Sequence, residues 1–265
     1  MPVFFASPTA QGSAQAIILA AGRGERMRPL TDTCPKPLLQ VRGAPLMQWP
    51  MLALCANGFG HQVLNTAWLG EQIEAYFSSY LGQQRNESLR EQLLNSERIE
   101  ITYSHEGVDF GYALETAGGI SRALPHLAEV FWVLAGDVFA PSFAYSRAAY
   151  EQFSQSDKLA HIWLVPNPPH NLRGDFGLST EGLALNLPKD LGHALYTYST
   201  IGLYKHALFA PPYCDIPAGN PAGTKAALAP LLRAAMDAGL VSAELFTGEW
   251  TDVGTPERLA ELNEA

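Results

Sequence analysis

Short continuous apolar runs alternate along this chain with longer stretches of helical periodicity. Ala16-Ile17-Ile18-Leu19-Ala20, ended by Gly22 and Gly24, has the pattern of a strand covered on both faces. Pro45 through Asn57 then predicts a helix closed by Gly58, and His61-Gln62-Val63-Leu64-Asn65 a second strand. The alternation continues with a helix from Gly70 to Leu81, a polar helical stretch from Glu87 to Ser96 and a strand over Ile99 to Tyr103. After a glycine-rich turn come a helix over Ile120 to Leu124 and a buried strand over Phe131 to Ala135. His161 to Val165 and Tyr196 to Ile201, rich in aromatic and β-branched residues, predict further strands. A helix follows from Ala226 to Ala238, ended by Gly239. Thr255-Pro256 offers an N-cap hydroxyl and a first-turn proline for a final helix.

Strand and helix in alternation predict an α/β layered domain with a mostly parallel sheet, whose ligands lie beyond the carboxyl ends of the strands. Residues 1–15, rich in Ala, Ser, Pro and Gln and without periodicity, read as a loose extension, and residues 16–265 as a single domain. No hexapeptide β-helix repeat occurs at the carboxyl end.

Composition narrows the function. The 265 residues, 47% hydrophobic and 16% charged, supply a sizeable core. No apolar run approaches the roughly 20 residues of a bilayer span, and the first residues lack the basic and apolar regions of a secretory leader. Cys34, Cys55 and Cys214 are odd in number, far apart and never in a C-x-x-C pair, so a cytoplasmic protein without a disulfide framework or zinc ribbon is expected. A net charge of −9 argues against a nucleic-acid partner, and no obligate protein partner is evident. That charge is uneven: residues 1–42 carry Arg23, Arg26, Arg28, Lys36 and Arg42 against only Glu25 and Asp32. With a Debye length of about 8 Å at physiological salt, a phosphate placed there feels the basic cluster rather than the distant acidic excess.

The same segment carries the most informative string, Leu19-Ala20-Ala21-Gly22-Arg23-Gly24-Glu25-Arg26-Met27-Arg28-Pro29-Leu30-Thr31, followed by Pro35-Lys36-Pro37-Leu38. Two glycines let backbone N–H groups approach an anion, and Arg and Lys add charge-assisted hydrogen bonds. Met27 stands where a dinucleotide-binding loop needs its third glycine, and G-x-x-x-x-G-K-[ST] does not occur. Taken alone, the string is equally well read as a tight strand-to-loop turn with a solvated basic edge. No G-x-S-x-G elbow and no H-E-x-x-H spacing occurs, so covalent catalysis has no support and the histidines, His61, His126, His161 and His193 among them, read as structural.

The string closely resembles the amino-terminal motif of the sugar-1-phosphate nucleotidyltransferases, L-A-A-G-x-G-x-R-M-x-P-L-T followed by P-K-P-L. The likeness extends over most of residues 16–262, through Gly136-Asp137-Val138 and Trp250-Thr251-Asp252-Val253-Gly254-Thr255. Asn65-Thr66-Ala67-Trp68-Leu69-Gly70, Ser104-His105-Glu106-Gly107, Leu114-Glu115-Thr116-Ala117-Gly118-Gly119-Ile120 and Arg173-Gly174-Asp175-Phe176 are most similar to the branch of that family that uridylylates N-acetylmuramate 1-phosphate in cell-wall recycling. The resemblance implies a Rossmann-like three-layer fold around a central, mostly parallel mixed sheet. It also implies Mg²⁺-dependent transfer from a nucleoside triphosphate, UTP in that branch, to a sugar 1-phosphate such as N-acetylmuramic acid 1-phosphate.

Carried onto this chain, the resemblance makes Arg26 and Lys36 the catalytic cations and lines the nucleotide with Leu19, Ala21, Gly22, Gly24 and Glu25. Asp137 and Asp252 hold Mg²⁺, an ion that takes one or two carboxylates and fills its octahedron with water and phosphate oxygens. Glu106 and Gly118 lie by the nucleobase, the carboxylate accepting an imide N–H and the glycine leaving room for the ring. Asn167 and Asp175 face the sugar phosphate, and Lys189 resembles a phosphate-binding lysine of other branches. Each has a plainer alternative. Asp137 could cap a loop, Asp252 could open a helix, Glu106-Gly107 and Gly118-Gly119 are turn-prone, and Asn167 sits in a proline-rich, water-facing loop. The chain departs from the muramate branch at Ala135, where that branch often has Asn, and at Ala117, where it usually has Gly; residues 78–98 and 108–112 also look longer. The shared core does not choose the base, so guanylyl or thymidylyl transfer to mannose or glucose 1-phosphate is the neighbouring reading. A catalytically silent regulatory relative that binds nucleotide sugar is another.

Overall fold

The protein is described by a computed structural model over residues 13–84, 99–189 and 192–264. In chain order its strands are β1 (Ala14–Leu19), β2 (Gln40–Val41), β3 (Ala44–Pro45), β4 (His61–Thr66), β5 (Glu100–His105), β6 (Leu127–Ala135), β7 (Val138–Phe139), β8 (Ala160–Val165), β9 (Gly177–Leu178), β10 (Ala184–Leu185), β11 (Thr197–Lys205), β12 (Val241–Leu245) and β13 (Thr251–Asp252). The helices are α1 (Gln48–Ala56), α2 (Gly70–Gln84), α3 (Glu106–Phe110), α4 (Glu115–Ala123), α5 (Arg147–Gln155), α6 (Leu228–Asp237) and α7 (Pro256–Glu264).

Seven strands form one sheet in the order β12-β8-β11-β6-β1-β4-β5. β1 runs parallel to β4 and β6, β4 to β5 and β12 to β8, while β11 is antiparallel to both neighbours, so the sheet is mixed and mostly parallel. The apolar runs sit centrally because each alternate residue has a core to enter. Ile17, Val63 and Val133 face α4 and α6, whereas Ile18, Leu64, Trp132 and Leu134 face α1, α2 and α5. Each such side chain contributes about 1.5–3 kcal/mol by leaving water. A third, smaller cluster joins Met27, Val41, Leu46, Phe139, Val253 and Leu262, and seats the β2–β3 ladder and α7 against the end of the sheet.

Several boundaries differ from the sequence reading. β1 begins at Ala14, two residues inside the expected extension, because Ala14 pairs with Leu127 and is fully buried. Residues 1–12 of that extension, and the polar helical stretch from Glu87 to Ser96, lie outside the described residues. α1 starts at Gln48 rather than Pro45, since Pro45 pairs with Gln40 in a short ladder. α4 starts at Glu115, five residues ahead of the expected helix, and runs straight through Gly118 and Gly119. No helix among the described residues is long and apolar enough to cross a membrane, and the three cysteines are free.

Candidate active site

β1, β4 and β6 are parallel, so their carboxyl ends open on the same side of the sheet. A cavity of about 410 Å³ lies there. It falls within the range of ligand pockets. Leu19, Ala21, Gly22, Gly24, Glu25, Arg26, Lys36, Glu106 and Asp137 all line it, so nine positions singled out from the sequence meet at one place.

The turn leaving β1 owes its shape to its glycines. Gly24 has φ 66°, a left-handed conformation that L side chains rarely adopt. A Cβ there would also stand 3.0 Å from Thr31 Cγ2 and 3.3 Å from Lys36 Cβ. A Cβ on Gly22 would meet nothing within 4 Å, which leaves its backbone open to the cavity. The Thr31 hydroxyl donates to Gly24 O at 2.8 Å and closes the turn.

The basic cluster sorts itself by its partners. Arg23 donates to Thr31 O and to Asp32 Oδ1, and lies 3.8 Å above the Trp68 ring. Arg28 shares Asp32, and Arg42 pairs with Glu249. These three hold structure. Arg26 is exposed, lines the cavity and makes no ion pair among the described residues, so its charge is free for a ligand. Lys36, 8% exposed, reaches through the cavity wall to pair with Asp137 Oδ2.

Asp137 lies two residues past the end of β6, and β7 leads straight into an antiparallel pairing with β13: Val138 faces Asp252 and Thr251 faces Phe139. Val253 N–H donates to Asp137 O at 2.9 Å. The mid-chain and late aspartates therefore occupy neighbouring positions of one ladder. Gly254 reaches the cavity wall, but the Asp252 carboxylate is held aside by Arg258 and by His170 Nε2 at 2.8 Å. His170 is thus at the site, contrary to its expected role as one more structural histidine. As a donor set the two carboxylates suit a hard divalent ion, being all oxygen, one in the turn ahead of β7 and one on β13, beside a glycine turn, and each already drawing cations.

Behind the turn runs a buried relay that sequence reasoning did not find. Ala20 N–H donates to Asn65 Oδ1 at 2.7 Å, Asn65 Nδ2 donates to Glu106 Oε1 at 2.7 Å, and Leu114 N–H donates to Glu106 Oε2 at 2.7 Å. It fastens the ends of β1 and β4 to the approach of α4. Burial pushes the Glu106 carboxyl above its usual range, against the Leu114 and Asn65 donors that favour the charged form. The signal in the sequence was a polar residue, Asn65, inside an apolar strand, where a buried amide needs partners.

The paired glycines of α4 answer to packing. A Cβ on Gly119 would lie 2.5 Å from Glu106 Oε1, and one on Gly118 would lie 2.5 Å from Thr224 O. The space beside Gly118 is filled by the 224–226 segment, whose Ala226 O accepts from the Ala117 and Gly118 N–H groups, so the room expected there for a ring is taken by backbone. Gly118 is not on the cavity wall. Gly118→Ala is expected to cost about 1–3 kcal/mol of stability, as overpacking does. A urea midpoint unchanged from wild type would show that the 224–226 segment yields freely.

Asn167, Asp175 and Lys189 come together elsewhere, at the far side of the sheet end, and none lines this cavity. Asn167 donates to Leu195 O at 2.8 Å and accepts from Thr197 Oγ1 at 2.9 Å. Asp175 accepts from Tyr198 N–H at 3.0 Å and Asn171 Nδ2 at 3.2 Å, and its other oxygen lies 3.4 Å from Lys189 Nζ, which also donates to Gly174 O. In this structure the three brace the 166–175 loop against β11.

The chain matches the family model described as nucleotidyl transferase over residues 15–265. It is 43% identical over 253 residues to the N-acetylmuramate alpha-1-phosphate uridylyltransferase of Neisseria meningitidis serogroup B, covering 93% of this chain and 96% of that one. To the protein of the same name from Caulobacter vibrioides it is 29% identical, covering 91% and 92%. It is 31% identical to the UTP–glucose-1-phosphate uridylyltransferase of Synechocystis, over 91% of this chain but 60% of that longer protein. Among solved structures, the inositol-1-phosphate CTP transferase from T. maritima superposes with a TM-score of 0.66 at 21% identity, covering 96% of each chain, which supports the shared fold.

Proposed function

The chain belongs to the nucleotidyl transferase family as a sugar-1-phosphate nucleotidyltransferase, and from that premise we propose that it transfers uridylyl from UTP to N-acetylmuramic acid 1-phosphate in cytoplasmic cell-wall recycling. The observation that supports the phosphate chemistry is the single cavity wall carrying the open Gly22 backbone, the free charge of Arg26 and the Lys36–Asp137 pair. The choice of base and sugar rests on likeness to relatives of that name at 43% and 29% identity.

A phosphate oxygen of the sugar 1-phosphate attacks the α-phosphorus of UTP, the bond to the β-phosphate oxygen breaks, and pyrophosphate leaves. The nucleophile is already an anion, so no side chain has to remove a proton. The protein's task is to bring two anions into line and to offset the charge that grows on the leaving group. The Gly22–Glu25 backbone lines the triphosphate, and Arg26 and Lys36 hold its oxygens from two sides. Leu19 and Ala21 complete the nucleotide side, and Glu106, on the cavity wall, stands at the end toward the base. Asn167 and Asp175 shape the sugar side through the loop they brace, with Lys189 beside them. Asp137, with Asp252 once its carboxylate turns away from Arg258 and His170, would hold Mg²⁺, which when bound would supply charge neutralisation to the phosphates.

Pyrophosphate release from the purified protein, measured with UTP, GTP, CTP and dTTP against N-acetylmuramic acid, N-acetylglucosamine, glucose and mannose 1-phosphates, tests this reading. UTP with N-acetylmuramic acid 1-phosphate is expected to give the highest kcat/KM, by about tenfold or more. Preference for another pair would replace the assignment, and nucleotide binding without turnover across the panel would make the protein a regulatory relative. Removing divalent ions with EDTA is expected to abolish release and added Mg²⁺ to restore it; undiminished release in EDTA would remove the metal from the scheme.

A further inference from the structure

The Asp252 carboxylate already has a cation. Arg258 Nη1 pairs with Asp252 Oδ1, donates to Asp252 O at 2.8 Å and lies 3.1 Å from His170 Nε2. Arg258 stands in the first turn of α7, its backbone N–H donating to Thr255 Oγ1 at 3.4 Å. A positive side chain is disfavoured at that end of a helix, where the macrodipole is itself positive. The Arg258 side chain is nevertheless only 15% exposed. Asp252 is what offsets its charge there.

The other edge of the same guanidinium faces the reaction cavity. The bonds to Asp252 and His170 all run through Nη1, whereas Nη2 lies against Gly254. A Cβ on Gly254 would stand 2.7 Å from Arg258 Nη2 and 3.2 Å from Arg26 Nη2. Gly254 and Arg26 both line the cavity, so two guanidinium groups converge on one glycine of its wall, and the missing side chain is what lets them approach. Arg26 makes no ion pair among the described residues, which leaves Asp252 as the carboxylate beside the pair. Once Asp252 turns to a divalent ion, Arg258 loses its counter-charge, and a mostly buried cation stripped of its partner is strongly disfavoured. An anion between the two arginines removes that penalty. Phosphate suits the place, since its oxygens accept the forked hydrogen bonds of guanidinium.

Building on the reading that Asp252 takes up a divalent ion during nucleotidyl transfer, we propose that Arg258 is a further phosphate-binding residue that changes partners. It holds Asp252 in the metal-free protein, and it joins Arg26 on a phosphate of the triphosphate when the carboxylate turns to the ion. Each exchange clears the way for the other. Metal at Asp252 frees Arg258 for phosphate, and phosphate keeps Arg258 from returning to Asp252, so the two ligands assist one another. Only hydrogen bonds and ion pairs are exchanged, with no proton or electron transferred. Arg258 thus opposes the metal and supports the triphosphate, two effects of opposite sign that an arginine serving only to hold α7 in place would not produce.

Arg258→Gln, which removes the charge, is compared with the wild-type protein by binding rather than turnover. Mn²⁺, an oxygen-seeking stand-in for Mg²⁺, is titrated into each protein alone and followed by electron paramagnetic resonance. The variant is expected to bind it about fivefold more tightly, because the competing cation is gone. Calorimetry with α,β-methylene-UTP, which cannot react at the α-phosphorus bond that breaks, is expected to show binding at least about tenfold weaker for the variant with Mg²⁺ present, the loss of a charge-assisted hydrogen bond. In EDTA the two proteins should bind the analogue alike. Mn²⁺ affinity that is unchanged or weaker in the variant, or a loss of analogue binding that is absent with Mg²⁺ or equally large in EDTA, would overturn the exchange of partners. Inorganic tripolyphosphate in place of the analogue separates this from the choice of UTP. The arginine effect on tripolyphosphate without any preference for uridine over guanosine analogues would keep Arg258 in its role and remove the base assignment; a uridine preference without the arginine effect would do the reverse. Arg258→Lys keeps a cation beside Asp252 and so serves where the glutamine variant fails to fold. Its single ammonium group cannot span Asp252 and the cavity wall as the fork does, so weaker analogue binding with Mg²⁺ is expected here too, and wild-type binding would count against the proposal.

Discussion

Lys36→Ala and Asp137→Ala are each expected to lower kcat about 100- to 1000-fold while the protein stays folded. That is the loss measured when one charge donor to a transition state is removed, about 3–4 kcal/mol. Lys36 is buried and its stem packs beneath Gly24, so alanine would also loosen the turn. Lys36→Met keeps the stem and discards only the ammonium group, and it should lose nearly as much activity. Because Lys36 pairs with Asp137, removing both is expected to cost little more than removing one. Steady-state pyrophosphate release, read beside thermal melts, checks all four variants. A folded Lys36→Met protein with wild-type turnover would take that residue out of the chemistry. The folding cost of losing the ion pair itself is small, since Asp137 is about one-third exposed and such a pair contributes about 1 kcal/mol at most.

Asn65→Leu is expected to be the most damaging change to stability. Leucine is of similar size and suits a buried strand, yet the change orphans Ala20 N–H and takes from Glu106 one of its two donors. Each buried group left unsatisfied costs about 1–3 kcal/mol, more when charged, so the sum is about 3–5 kcal/mol. In a domain of this size that lowers Tm by about 10 °C. Differential scanning calorimetry measures it directly, and a fall of less than 2 °C would mean that water or a neighbouring group takes over the relay. Glu106→Gln should cost less, about 2 kcal/mol, because the amide replaces one acceptor with a donor facing either Asn65 or Leu114.

The sheet was legible because its strands are buried on both faces, so that Ile17-Ile18 and Phe131 through Leu134 appear as unbroken apolar runs. The glycine turn was legible because its chemistry is local. Two kinds of feature were not. Two-residue ladders such as β7–β13 are too short to show any period, although this one brings Asp252 to Asp137. Close approaches also leave only an ambiguous trace. Gly118-Gly119 reads as a helix-breaking turn, but α4 continues through it because the Thr224 backbone and the Glu106 carboxylate occupy the places of the missing side chains. Likewise the partners of Asn65 lie far away along the chain, so its amide could be marked as needing partners but not given them. The basic cluster shows the limit from the other side: five cations stand together in the sequence, and only their acidic neighbours in space separate Arg26 from Arg23, Arg28 and Arg42.

Joining Val138 to Asp252 also fixes the timing of catalytic competence during biosynthesis. A nascent polypeptide emerging from the ribosome has β1, β4 and β6, and with them Arg26, Lys36 and Asp137, long before β13 is made. With Asp252 in the role proposed for it, a polypeptide ended just ahead of β13 would carry Arg26, Lys36 and Asp137 but lack the second carboxylate, and is expected to be unable to complete the transfer.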